Sequence, residues 1–130
     1  MKRQLRQRDE RGAIAIEFML TITMLLVVFM VMLQYAVKVH AQHVANAAAE
    51  EALAAASAYD GTTSAGQHAA TDYLDRLGPG LTNPIVAVTR TATTATVTIS
   101  GDVEQLVPLL PVHVTVRIQG PVEHFVEAQP

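Results

Sequence analysis

From Phe18 to Val37 the chain runs for 20 residues without a charge, with Gln34 and Tyr35 as mild interruptions. As a helix rising about 1.5 Å per residue, such a run is roughly 30 Å long, enough to cross the apolar core of a bilayer. The pattern then changes without a break. Alanine fills 10 of the 18 positions from Ala41 to Ala58, and neither proline nor glycine occurs between Ala13 and Asp60. Alanine is the strongest helix former, so one continuous helix is expected from about Ala13 to Tyr59. It would be membrane-embedded to about residue 37 and Ala-rich beyond, with Gly61 as its C-terminal stop. Gln42, Asn46, Glu50 and Glu51 lie on an outer face of the Ala-rich half, and a thin stripe runs through Val44, Ala48 and Ala52. Small residues allow close approach of a neighbour. That neighbour is either the chain's own C-terminal part or other helices in a multi-chain bundle.

Residues 60–130 read as a small helix-plus-sheet domain. Ser64-Ala-Gly-Gln67 has the form of a capping box, and Ala70, Tyr73, Leu74 and Leu77 follow at helical spacing. Gly78-Pro-Gly80 ends that second helix. Ile85–Thr91, Thr94–Ser100 and Val112–Ile118 are strand-like, and the last two alternate apolar with polar residues, as expected of a sheet with one dry face. The first two strands should form an antiparallel hairpin around Thr91 to Thr94, although the Asn-Gly turn signal is missing. Pro108 and Pro111 forbid a regular element in the segment before the third strand. Its Val107, Leu109 and Leu110 either plug the core or form an exposed patch. The expected fold class is therefore α+β: a long N-terminal transmembrane helix, a short second helix and a small antiparallel sheet of about three strands.

Charge sets the orientation. Residues 1–12 hold Lys2, Arg3, Arg6, Arg8 and Arg11 against Asp9 and Glu10, net +3, whereas the rest of the chain has four cations and ten acids, net −6. A basic leader before an apolar helix places the N-terminus in the cytoplasm and the residues past Lys38 outside. The four remaining cations, Lys38, Arg76, Arg90 and Arg117, are too scattered for a nucleic-acid footprint. With no cysteine, neither a disulfide nor a thiolate metal site is available. A domain of about 70 residues without either staple has modest stability unless partners complete it.

Catalytic signatures are missing: no nucleophile elbow, phosphate loop, zinc-protease motif or dinucleotide fingerprint occurs. His40 and His43 stand at i, i+3 on the long helix, without a third ligand in the pattern. Asp72 and Asp75, beside Arg76, read as a solvated helix face, and Glu123 and Glu127 as a short acidic tail. No enzyme activity, cofactor or metal is expected.

Glu17 is the one carboxylate near the apolar run. If the span begins at Phe18, Glu17 lies at the interface. If it begins at Ala13, Glu17 lies about a turn inside the apolar layer and requires a cation at its own depth. An intact chain offers Arg8 or Arg11, whereas a chain cut after Gly12 offers a new ammonium on Ala13. In this stretch, Gly12, then Ala-Ile-Ala-Ile, then Glu17-Phe18, after a basic leader and before an apolar helix, resembles the cleavage motif of type IV prepilins. The segment "ERGAIAIEF" is closer still to the TadE-like pseudopilins of the tight-adherence (Flp) pilus system. The resemblance is sharp over residues 8–35, diffuse to about Tyr59 and loose in the tail.

The resemblance implies that a membrane-embedded prepilin peptidase cuts between Gly12 and Ala13. It also implies that Glu17 is the acid at position +5, followed by the aromatic Phe18, and that residues 1–12 are a cleaved leader. The implied role is a non-enzymatic subunit, a minor pseudopilin in pilus assembly, with adhesion or DNA uptake as downstream uses. Its implied partners are the peptidase, other pilin or pseudopilin subunits, the assembly platform and the lipid bilayer of the cytoplasmic membrane. The alternative is an uncut single-pass membrane protein whose outer domain binds an envelope partner.

Overall fold

The computed structural model describes residues 2–77 and 80–124, with side chains from Gly12 onward. It is α+β: two helices, α1 (Lys2–Ser57) and α2 (Thr63–Leu77), then three strands, β1 (Thr82–Arg90), β2 (Thr94–Val103) and β3 (Val112–Pro121). Helix α1 does not begin at Ala13 but continues back through Gly12 to Lys2. Residues 2–11 are largely Lys, Arg, Gln, Leu and Glu, all good helix formers.

Helix α1 ends two residues before Tyr59 because the chain doubles back over its last turn. The Gly61 amide donates to the Ala58 carbonyl at 2.8 Å. A Cβ at position 61 would stand 2.5 Å from the Ala55 oxygen and 2.6 Å from the Ala56 oxygen, so only glycine fits. The free carbonyls of the helix end are taken up by the rest of the domain. The Glu123 amide donates to Ser57 O at 2.9 Å. The Arg90 guanidinium donates to Gly61 O through Nη1 and to Ala58 O through Nη2. A cation at a helix C-terminus is stabilised by the helix dipole as well as by these bonds. Arg90→Met keeps the apolar stem and removes both, so it is expected to destabilise the domain by about 1–3 kcal/mol, measured as a lowered unfolding midpoint in detergent micelles. An unchanged midpoint would deny the arginine this role.

Helix α2 is capped by Thr62, not by Ser64. The Thr62 hydroxyl accepts from the Ala65 amide at 3.0 Å, and the Thr62 carbonyl accepts from the Gly66 amide. The start thus shifts two residues earlier, and Gln67 falls too far into the helix to close a box. The buried face is Gly66, Ala70 and Leu74, with Tyr73 partly buried. Leu77 is exposed. At Gly66 a Cβ would lie 2.9 Å from the Ala52 oxygen and 3.0 Å from the Ala56 Cβ, which lets the backbones of α1 and α2 come close together. Of the expected Gly-Pro-Gly stop, Gly78 and Pro79 lie outside the described residues, while Gly80 packs on Val44.

The sheet is antiparallel with order β1-β2-β3. The β1–β2 turn does without Asn-Gly because it needs no left-handed residue: Asn83 and Leu109 are the non-glycine residues with positive φ among those described. The Thr91 hydroxyl accepts from the Thr94 amide at 3.0 Å, and the Thr91 amide donates to Thr94 O at 2.8 Å. Strand β1 starts three residues earlier than its apolar pattern, taking in Pro84 beside an irregularity between Thr82 and Ile85. An edge strand tolerates this proline. The dry face is Ala95, Val97, Ile99 and Val103 of β2 with Val114 and Val116 of β3 and Val88 of β1. It packs on α2 and on the outer half of α1, where Ala41, Val44, Ala45, Ala48, Ala49, Ala52 and Ala56 are buried. The alanine stripe is therefore covered by the chain's own domain.

Candidate functional site

Apart from Gln34, the apolar run of α1 is left exposed by the rest of the chain up to Ala36. Helix residues Gly12–Ser57 include a window of mean hydropathy 2.5, none of it buried within the chain. Length and composition make the helix able to span a membrane. A core helix of a water-soluble domain would bury this stretch, and here Met19, Leu20, Met24, Leu25, Val27 and Phe29 are all exposed. The hydroxyls of Thr21 and Thr23 donate back to Glu17 O and Met19 O at 2.8 Å each, so both are satisfied without water.

Gly12, Ala13, Glu17 and Phe18 all lie on exposed surface of α1. Ala13 and Glu17 share one face, one turn apart, in a shallow groove with Ile16, Leu20, Thr21 and Met24. A Cβ placed on Gly12 would meet nothing within 4 Å. No contact among the described residues demands glycine there, although glycine in a helix interior costs about 1 kcal/mol relative to alanine.

A second constellation was not singled out in the sequence. Gln34 is the one polar side chain buried among the described residues, 2% exposed. Its Oε1 accepts from the Leu106 amide at 2.7 Å and the Val107 amide at 3.2 Å, and its Nε2 donates to Glu104 O at 3.2 Å. The loop before β3 is thereby fastened to α1 inside its apolar run. Leu106, Val107 and Pro108 border a hollow with Thr23, Leu26, Val27 and Met30. The core-plug alternative for this loop fails: Leu109 is 97% exposed and Leu106 and Leu110 about half so. The core is already filled by alanine and valine contacts, and Gln34 pulls the loop down the helix, away from it. The available signal was a lone amide in an apolar run and, far along the chain, an apolar loop held by two prolines.

His40 and His43 are exposed on α1, Asp72 and Asp75 are exposed on α2, and Arg76 Nε donates to the Asp72 carbonyl of its own helix at 3.1 Å. His113 and Asp102 pair across β2 and β3 at 2.9 Å on the surface. Glu123 is exposed, and Glu127 lies outside the described residues. Among the described residues no three His, Asp or Glu side chains gather as metal ligands would.

No curated protein and no solved structure is significantly similar to the chain. The family model described as TadE-like protein matches residues 12–53. That stretch holds Gly12, the whole apolar run and most of the alanine-lined half of α1, so over this segment, about a third of its length, the chain is similar to TadE-like proteins.

Proposed function

We propose that the chain is a structural subunit, a minor pseudopilin, which enters the cytoplasmic membrane with its N-terminus inside and is cut between Gly12 and Ala13 by a prepilin peptidase. The observation that carries this reading is an apolar helix face left bare by the domain, with Glu17 its single charge and Ala13 one turn away. Gly12 adds support, as a helix-weakening residue that no packing among the described residues requires. A peptidase must open the helix to reach a peptide bond, and the helix opens most easily at a glycine. Cutting creates an α-ammonium on Ala13. It pairs with Glu17 of the same chain or of a neighbour, because an unpaired carboxylate inside apolar surroundings is costly. Passage from lipid into a bundle of like helices keeps the apolar face dry throughout. The partners are the peptidase, other pilin or pseudopilin subunits, the assembly platform and the bilayer.

An uncut single-pass membrane protein is the second reading, favoured by the unbroken course of α1 through Gly12. Intact mass of the protein from cells with and without an active prepilin peptidase separates the two. Cutting removes Met1 to Gly12 only where the peptidase is present, and Gly12→Asp abolishes that loss. A full-length mass in peptidase-positive cells overturns the pseudopilin reading.

A further inference from the structure

We propose that the loop Leu106–Pro111 is a second membrane contact, seated in the outer half of the bilayer beside α1, with Leu106, Leu109 and Leu110 among acyl chains. This rests on α1 spanning the membrane.

The first support is depth. Leu106, Val107 and Pro108 border one hollow with Thr23, Leu26, Val27 and Met30, well inside the uncharged run that ends before Lys38. A 20-residue span ends at residue 32 if it begins at Ala13 and at residue 37 if it begins at Phe18. At about 1.5 Å per residue, Val27 then lies roughly 7–15 Å beneath the outer boundary. A loop that walls the same hollow as Val27 lies near that depth.

The second support is the treatment of the loop backbone. Irregular backbone is tolerated in an apolar layer only where its polar groups are satisfied. Pro108 and Pro111 carry no amide hydrogen, which leaves four N–H groups in the loop. Three of these have acceptors: Leu106 and Val107 donate to Gln34 Oε1, and Leu110 donates to Val107 O at 3.4 Å. A water-exposed loop has no need of a buried amide for this purpose.

The third support is side-chain direction. Leu109 is held at φ 70°, a region leucine rarely adopts, and the result is a leucine turned 97% outward. In water that arrangement loses on both backbone and side chain, whereas in lipid the side chain gains. The polar boundary agrees: Leu110 and Pro111 border a hollow with Lys38 and His113 at its upper edge, and His113 pairs with Asp102. The charge-free part of the loop therefore ends at the level where α1 regains charge. The loop continues the apolar surface of α1, which makes lipid the occupant and not a separate protein.

The test uses the full chain in liposomes of phosphatidylcholine and phosphatidylglycerol, with and without phosphatidylcholine brominated in mid-chain. The protein contains no tryptophan, so Leu109→Trp and Leu110→Trp each introduce a single reporter at an exposed position. Both are expected to lose fluorescence in brominated vesicles to an extent comparable with Met30→Trp, while Thr115→Trp on the sheet does not. Quenched Met30→Trp with unquenched loop reporters overturns the loop's membrane contact and leaves the span intact. Blue-shifted but unquenched loop reporters overturn it in favour of a second copy or partner helix covering the loop. Unquenched Met30→Trp removes the span itself, and the loop contact with it.

Discussion

Gln34→Leu is expected to release the loop before β3 from α1 and to lower stability by about 2–4 kcal/mol. Leucine is close to glutamine in size and more at home in the apolar run, so a reading of the helix alone expects no harm. The effect comes from the partners left behind. Three hydrogen bonds disappear, and the Leu106 and Val107 amides stay in part-buried surroundings without an acceptor. A buried donor left unmade costs about 1–3 kcal/mol. Amide hydrogen exchange is the direct measurement, since protection at Leu106 and Val107 should collapse while that of β2 persists. Full retention of protection would show that Gln34 is not what holds the loop.

Ile99→Ala should do comparable or greater damage for a different reason. Ile99 lies on the central strand and is fully buried, one of the largest such side chains in a core made mostly of alanine and valine. Removing three carbons from such a site typically costs about 2–4 kcal/mol, the cavity adding to the lost burial. The loss should sit toward the upper part of that range, because the buried α1 residues of the core are alanines apart from Val44 and have little rotamer freedom with which to fill the gap. For a folded part of this size, thermal unfolding in micelles should shift downward by at least about 10 °C. A shift within a few degrees would mean that α1 moves onto the sheet and closes the void, so that the domain is less tightly bound to its helix than its geometry implies.

Two claims on this molecule therefore rest on opposite physics. The sheet holds the outer half of α1 through small, apolar, closely approaching surfaces. The loop is fastened near the outer end of the apolar run through one amide, Gln34. Both leave the face around Ala13 and Glu17 exposed, the face on which the proposed cut and assembly depend.

Much of this could be read along the chain, because the decisive patterns are local. An uncharged run of 20 residues, an alanine-rich continuation without helix breakers and two alternating strands each declare their structure within a few turns or pleats. The motif at Gly12, Glu17 and Phe18 is local as well, and the family match over residues 12–53 falls on it. What the tertiary structure alone decided are matters of long-range pairing. The alanine stripe meets its own sheet, Arg90 closes the end of a helix about 30 residues earlier in the chain, and the loop at Leu106 is tied to Gln34 across 72 residues. No window of sequence holds both members of such a pair. A lone amide or an apolar proline-bounded loop acquires its meaning only when folding sets one against the other.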